Sequence, residues 1–145
     1  MKRDETVFLD AYNKLNKAQK EAVDTIDGPV MVVAGPGTGK TQILSLRIAN
    51  ILRKTDTESD GILCLTFTNS GVSAMRERLR KYIGGASSKV EVSTFHSFAM
   101  KFIEQNFEVL GYVEQPSLID DVQAISLSDF ILSNNEWGHL TTRTN

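Results

Sequence analysis

The glycine-rich string AGPGTGKT at residues 34–41 is the feature that most constrains how this chain of 145 residues folds. It follows a short apolar run, Val30-Met31-Val32-Val33, which predicts a strand buried on both faces of a parallel sheet. After the string, apolar residues recur at helical spacing, at Leu44, Ile48, Ile51 and Leu52. Strand, tight turn and helix in this order predict an α/β fold.

Phosphate binding is the chemistry that this string predicts. Glycines let the backbone turn tightly and bring its N–H groups close to phosphate oxygens, and the start of a helix adds unpaired donors. Lys40 can reach the β- and γ-phosphates of a nucleotide and the Thr41 hydroxyl can ligate Mg²⁺, so these two are the candidate catalytic residues. The candidate nucleotide-binding residues of this P-loop are Ala34, Gly35, Pro36, Gly37, Thr38, Gly39, Lys40 and Thr41. A turn that binds nothing is the alternative, which the agreement of both flanks disfavours.

Further segments continue the alternation of strands and helices. Strands are predicted at residues 62–67 and 90–92, and helices at 17–26, 70–83 and 121–132. Asn16 and Gln19 have the spacing of a capping box, and Gly84-Gly85 is predicted to end the 70–83 helix. Another helix is predicted after residue 94, with a core face formed by Phe95, Phe98, Phe102 and Phe107. The pattern of residues 133–145 looks unfinished or frayed.

Composition and charge exclude several classes of protein. The chain is 41% hydrophobic and 23% charged, without a low-complexity run or an apolar stretch long enough to span a membrane, so a globular cytoplasmic domain is expected. Cys64 lies in an apolar run and is predicted to act as a small buried hydrophobe. The net charge of −2 gives no global attraction to nucleic acid. Any binding of nucleic acid must therefore come from a local basic patch. The basic residues within 76–81 are interpreted as an exposed helix face in preference to such a phosphate-contacting patch.

Four strings between residues 15 and 107 occur in a recognisable order: LNKAQ, AGPGTGKT, LTFTNSGVSAMRERL and VSTFHSF. In this order and spacing the chain resembles the UvrD/Rep/PcrA-like superfamily 1 DNA helicases. The resemblance implies ATP and Mg²⁺ as cofactors and a RecA-like P-loop NTPase domain, of which residues 1–110 would form the front part. Residues 111–145 would begin an inserted helical subdomain, 1B. The parent protein would move along single-stranded DNA in the 3′ to 5′ direction.

The resemblance also assigns roles to residues outside the loop. Gln19 would hydrogen-bond adenine, and Gln42 stands where these helicases place an arginine against the base. The residues expected to line the path of single-stranded DNA are Phe67, Thr68, Asn69, Thr94, Phe95 and His96. Core packing is the alternative for Phe67 and Phe95, and a structural or solvated histidine is the alternative for His96. Ser70, Gly71 and Val72 replace the usual lysine and alanines, and Gly71 weakens that helix start.

Two elements that ATP hydrolysis needs lie beyond residue 145 in this family: an acidic strand end that holds Mg²⁺, and an arginine finger. The local string LIDDVQ, with Asp120, Asp121 and Gln123, is rejected as the acidic strand because the apolar run before it is too short. We therefore expect these 145 residues to bind ATP weakly and not to turn it over.

Three alternative functions remain: the motor subunit of a RecB- or AddA-like helicase–nuclease, a non-catalytic module that binds single-stranded DNA, and a P-loop enzyme other than a helicase, such as a small-molecule kinase. The expected partners are single-stranded DNA and the remaining helicase domains. The oligomeric state and any protein partners stay open.

Overall fold

The structure, a computed structural model, describes residues 2–134, and the predicted frayed tail therefore lies mostly outside it. The described residues form six helices and two strands. The helices are α1 (Lys2–Asn13), α2 (Lys17–Asp24), α3 (Lys40–Lys54), α4 (Asn69–Ile83), α5 (Phe95–Gln105) and α6 (Asp121–Asn134). The strands are β1 (Leu63–Thr66) and β2 (Glu91–Thr94), and short 3₁₀ turns cover Ser59–Gly61 and Gly84–Ser88. None of the described helices is both long and apolar enough to cross a membrane.

Strands β1 and β2 pair in parallel and are connected through α4. Leu63 lies opposite Glu91 and Thr66 lies opposite Thr94, so the two strands are in full register. Their carboxyl ends therefore meet at one edge of the sheet, and the residues that follow each strand lie close together there. The predicted α/β class with a parallel sheet is confirmed.

Helices α3 and α4 hold the core together because each contributes side chains to two buried clusters. The first cluster joins α1, α2, α3 and α4 through Phe8, Leu15, Ala22, Val23, Ile43, Leu46, Ala49 and Tyr82. The second joins α3 and α4 to the sheet through Ile48, Cys64, Met75, Leu79, Val90 and Val92. Burial raises the pKa of the Cys64 thiol, as expected for a cysteine that packs as a hydrophobe.

The predicted helix signals at α2 and α4 are confirmed. The Asn16 side chain accepts a hydrogen bond from the Gln19 N–H at 2.9 Å, and the Gln19 side chain accepts one from the Asn16 N–H at 3.0 Å. This reciprocal pair satisfies two of the donors that a helix start leaves unpaired. Helix α4 ends at Gly84, whose φ of 55° lies where only glycine is comfortable.

The prediction of a buried strand at residues 30–33 is wrong. The segment is not paired in the sheet, and Met31 and Val33 are 88% and 86% exposed. A strand is stabilised by hydrogen bonds to neighbouring strands, and in residues 2–134 no other segment pairs with this one. The apolar pattern is present, but burial needs partners that the described residues do not supply.

The predicted core face of α5 is also wrong. No residue of this helix is fully buried, and Phe95 and Phe102 are each about half exposed. The spacing of the phenylalanines is helical, as predicted, but in the described residues no element covers that face completely. Amphipathic spacing identifies a helix and its apolar side, whereas burial depends on what lies against it.

The described residues divide into two compact units, one ending at Lys101 and the other beginning at Phe102. In the second unit Asp120 caps α6: its Oδ1 accepts the Gln123 N–H at 2.8 Å, and Gln123 Oε1 accepts the Asp120 N–H at 3.0 Å. Asp120 therefore begins a helix and does not end a buried strand. The prediction that the string LIDDVQ is not the acidic strand is confirmed.

Candidate nucleotide-binding site

The loop at residues 34–41 connects the exposed apolar segment to α3. Gly37 and Gly39 have φ angles of 74° and 85°, which side chains other than hydrogen rarely allow. Gly39 is also the residue that precedes the first turn of α3. The Thr38 hydroxyl donates to the Gly35 carbonyl oxygen at 2.8 Å and closes the turn. The glycines thus let the chain wrap around a point in front of the helix.

The backbone N–H groups of the loop are available to a ligand. Residues 35–38 and 40 are exposed. Among the described residues, no acceptor receives a hydrogen bond from the N–H groups of residues 35–40, of which Pro36 has none. Exposed N–H groups at the start of a 15-residue helix favour an anion through both hydrogen bonding and the helix dipole.

Lys40 folds back over the loop. Its Nζ atom donates to the carbonyl oxygen of Gly35 at 2.7 Å and to that of Ala34 at 3.2 Å. A phosphate oxygen at the same place would accept from this ammonium group more strongly than a neutral carbonyl does. The loop therefore holds one positive charge close to its exposed N–H groups.

Thr41 lies beside a cavity of about 320 Å³. The cavity is lined by Val30 and Val32, by Lys40, Thr41, Ile43 and Leu44, and by Leu65, Thr66, Gly71 and Met75. The described residues contain no cluster of three or more His, Cys, Asp or Glu side chains that could hold a metal ion. The Thr41 hydroxyl is an oxygen ligand of the kind that Mg²⁺ prefers, and phosphate oxygens and water would complete such a site.

Gln19 is brought to the loop although it precedes it by many residues. Its Nε2 atom donates to the Thr38 carbonyl oxygen at 3.3 Å, while its Oε1 atom accepts the Asn16 N–H. The spacing of the residues predicts a cap and the family resemblance implies an adenine contact, and these two roles are compatible. The structure shows the cap together with a contact to the loop. Gln42 lies in the first turn of α3, partly buried, where its N–H donates to the Gly39 carbonyl oxygen at 2.8 Å.

The residues that follow β1 and β2 form a second surface at the carboxyl edge of the sheet. The rings of Phe67 and Phe95 lie 5.6 Å apart between centroids and are tilted by 57°. Phe67 is 81% exposed and Phe95 is 49% exposed, so neither is a core residue. Asn69 and His96 are exposed beside them. The structure therefore brings together the aromatic residues of two segments that are distant in sequence.

The two threonines of this set have local structural roles. Thr68 caps α4 by accepting the Gly71 N–H at 3.1 Å. Thr94 is buried, and its hydroxyl accepts the Ser97 N–H at 3.1 Å and contacts the Ser97 hydroxyl at 2.9 Å. These bonds fix the starts of α4 and α5. Thr94 therefore stabilises the start of the helix that carries Phe95 and His96.

Sequence reasoning missed a close approach between Thr66 and Gly71. A Cβ atom on Gly71 would lie 2.5 Å from the Thr66 hydroxyl oxygen, closer than side-chain atoms can come without a shift. Gly71 therefore allows the first turn of α4 to lie against the end of β1, next to the cavity at Thr41. A glycine in the first turn of a helix can indicate such a close approach, but the sequence analysis predicts only that Gly71 weakens the helix start.

A parallel sheet, helices that pack beside it and a glycine-rich loop that opens α3 define a partial α/β domain of the RecA-like class. The chain belongs to the UvrD/REP helicase N-terminal domain family, which it matches over residues 15–142. The resemblance stated from the four strings is thereby confirmed.

Several curated relatives are similar over the same part of the chain. ATP-dependent DNA helicase PcrA of Staphylococcus aureus (strain Mu50 / ATCC 700699) is 38% identical over 119 residues, which is 76% of this chain and 16% of that protein. ATP-dependent DNA helicase PcrA of Bacillus subtilis (strain 168) is 35% identical over 118 residues, 81% of this chain and 16% of that protein. The chain thus spans about a sixth of the length of these relatives.

Proposed function

We propose that this chain is the ATP-binding front part of an ATP-dependent DNA helicase. One observation carries the proposal: within the described part of the chain nothing pairs with the N–H groups of the loop before α3, and the Lys40 ammonium group is bonded to two carbonyl oxygens of the same loop. This is the arrangement that a P-loop offers to a triphosphate. The relatives are named as ATP-dependent DNA helicases, which agrees with this use of the loop.

In this proposal each loop residue has a defined part. The N–H groups of residues 35–40 bind the phosphate oxygens, and Lys40 exchanges its two carbonyl partners for the β- and γ-phosphates. Thr41 supplies a hydroxyl ligand to Mg²⁺, which neutralises developing charge when bound. Gln19 forms hydrogen bonds to adenine through its amide. Gln42 lies beside the base, at the position where the related helicases have an arginine.

Single-stranded DNA is the proposed substrate of the surface formed by Phe67 and Phe95. Exposed aromatic faces stack on bases of any sequence, at about 1–3 kcal/mol per base. Asn69 and His96 are exposed next to them and can donate hydrogen bonds to phosphates or sugars. Thr68 and Thr94 act by capping the helices that carry this surface. By the family resemblance, movement would be in the 3′ to 5′ direction.

Hydrolysis is not expected from these 145 residues alone. Residues 2–134 hold no acidic side chain in the lining of the cavity at Thr41, so no carboxylate is in place to hold Mg²⁺. We propose that residues 1–110 are the front of the RecA-like domain and that 111–145 begin an inserted helical subdomain. The remaining helicase domains would complete the nucleotide cleft in a cytoplasmic protein.

Nucleotide titration tests the proposal. ATP–Mg²⁺ is titrated by calorimetry into the unsubstituted chain, into Lys40→Ala and into the control Lys14→Ala, which removes an exposed lysine that is not part of the loop. Loss of a charged hydrogen bond costs about 1.5–3 kcal/mol, so Lys40→Ala is expected to weaken binding about tenfold or more. Equal affinity of all three proteins contradicts the nucleotide site. ATP turnover that depends on Lys40 contradicts the expected inactivity.

A further inference from the structure

A second cavity lies at the opposite edge of the sheet from Phe67 and Phe95. It has a volume of about 410 Å³ and lies between α4 and the start of β2. Its charged lining residues are Arg76, Arg80, Lys89 and Glu91. Because β2 has four residues that rise by about 3.3 Å each, this cavity and the aromatic surface are roughly 13 Å apart along the strand.

The single carboxylate of the cavity is already neutralised. Glu91 forms an ion pair with Lys101 at 3.1 Å, and Lys101 is not part of the lining. Ser87 and Ser88 also line the cavity, but their hydroxyls already donate to the carbonyl oxygens of Gly84 and Gly85 at 2.6 and 2.9 Å. The groups left to bind a ligand are therefore the three cations.

Arg76 is held in place by the protein. Its Nη2 atom donates to the Val92 carbonyl oxygen at 2.9 Å, which fixes the guanidinium group at the cavity. A guanidinium group has five N–H donors, so this bond leaves others for a ligand. A cation that is already oriented loses less entropy on binding an anion than a free side chain does.

Arg80 and Lys89 have no ion-pair partner among the side chains of residues 5–134. Arg80 lies one helical turn after Arg76, and like charges at this spacing repel each other. The neighbouring Lys81 differs, since it pairs with Glu77 at 2.7 Å. In a chain of net charge −2, three cations that share one cavity form a local positive site.

We propose that this cavity binds a phosphate group of a DNA strand that also contacts Phe67 and Phe95. Arginine forks match the geometry of phosphate oxygens, and lysine adds a compact charge. The proposal rests on the proposed function, because a strand of DNA is what would join the aromatic surface to this edge. The sequence predicts one exposed face for the basic residues of α4. In this proposal Arg76 and Arg80 bind the phosphate group, whereas Lys81 forms an ion pair with Glu77.

A pair of double variants tests the site. Arg80→Gln with Lys89→Gln removes two cations from the cavity, and Arg78→Gln with Lys81→Gln removes the same two residue types elsewhere on α4. Binding of labelled single-stranded oligonucleotides of about 2 and about 16 nucleotides is measured by anisotropy over a range of salt concentrations. Thermal unfolding by circular dichroism shows that each variant is folded.

The cavity variant is expected to weaken binding of the long oligonucleotide about tenfold and to lower the salt slope by about 0.7 per lost phosphate contact. Binding of the short one should change little, since two nucleotides are too short to span the roughly 13 Å between the cavity and the aromatic surface. Equal effects of the two variants, or no binding of the long oligonucleotide by the unsubstituted chain, would overturn the inference. ATP binding that depends on Lys40 would then still support the nucleotide site. If inorganic phosphate binds only when Arg80 and Lys89 are present but does not displace the DNA at equal ionic strength, the cavity is a site for free phosphate, which also contradicts the proposal.

Discussion

The Nε2 atom of Gln19 lies 3.3 Å from the carbonyl oxygen of Thr38, so the start of α2 is joined to the centre of the glycine-rich loop. The other end of the same amide accepts the Asn16 N–H. One side chain thus serves the helix cap with its oxygen and the loop with its nitrogen. If Gln19 binds adenine as proposed, the same two atoms would contact the base, the helix start and the loop, and this would couple recognition of the base to the conformation of the loop.

Substitution of Gln19 by Glu separates the two roles. A carboxylate keeps the acceptor that the capping box needs and is favourable at a helix start, but it cannot donate to Thr38 or to adenine. We expect the free energy of unfolding to change by less than about 0.5 kcal/mol. The preference for ATP over GTP should be lost, as measured by calorimetric titration of both nucleotides.

Asn16→Ala is the complementary control. It removes the side-chain acceptor of the cap and should cost about 1 kcal/mol of stability in a urea unfolding experiment. The ratio of ATP to GTP affinity should stay as in the unsubstituted chain, because Nε2 of Gln19 is intact. If Gln19→Glu still discriminates between the two nucleotides, Gln19 is only a cap.

The hydrogen bond from the Tyr12 hydroxyl to Asp24 Oδ2, at 2.5 Å, predicts a dependence of stability on pH. This bond, with smaller contributions from Lys54 and Asn50, holds the pKa of the Asp24 carboxyl below its usual value, although burial acts in the opposite direction. A lowered folded-state pKa gives stability that is present above the unfolded value of about 3.9 and is lost as the pH falls through the lower folded value. The pKa of Tyr12 is raised, chiefly by the same bond.

Tyr12→Phe removes that bond and should shift the midpoint of acid unfolding to higher pH. Because the pair is exposed, the loss at neutral pH should not exceed about 1 kcal/mol. Acid titration followed by circular dichroism measures the shift. Tyr112→Phe alters an exposed tyrosine of the other unit and should leave the midpoint unchanged. Coincident acid transitions for Tyr12→Phe and the unsubstituted chain would show that the bond contributes nothing.

The exposed pair Phe67 and Phe95 predicts a loss of DNA affinity without a loss of fold. Phe67→Ala should weaken binding of single-stranded oligonucleotides by about 1–3 kcal/mol, to a similar extent for different base sequences. The melting temperature should change little because the ring is 81% exposed. Phe130→Ala removes another exposed ring, in α6, and should leave DNA affinity unchanged. Anisotropy of labelled oligonucleotides decides between these outcomes.

The approach of Gly71 to Thr66 predicts that the two positions are coupled. Gly71→Ala should destabilise the chain by about 1 kcal/mol or more, because its Cβ would meet the Thr66 hydroxyl oxygen. In a Thr66→Ala background the same change should cost clearly less, because alanine favours a helix over glycine and only the Thr68 hydroxyl oxygen, at 3.2 Å, then remains close to the Cβ atom. A double-mutant cycle in urea measures the coupling. Additive effects would mean that Thr66 rotates away freely.

Much of the backbone was predictable from short-range patterns. The Asn16 and Gln19 pair located the start of α2, and Gly84 located the end of α4. Gly37 and Gly39 have the positive φ angles that the loop requires. These features depend on the chemistry of residues a few positions apart, so the amino-acid order is enough to read them.

The sequence by itself therefore determined the class of fold, the start of α2, the end of α4 and the turn of the glycine-rich loop. Only the tertiary structure decided that residues 30–33 lie unpaired, that Gln19 reaches Thr38, and that Arg76, Arg80 and Lys89 share a cavity. The physical reason is that burial, strand pairing and charge clustering are set by groups far apart in the chain. A local pattern predicts which side chains a segment could bury or which ligand it could bind. Whether they are buried or the ligand is bound depends on the residues that the fold places next to that segment.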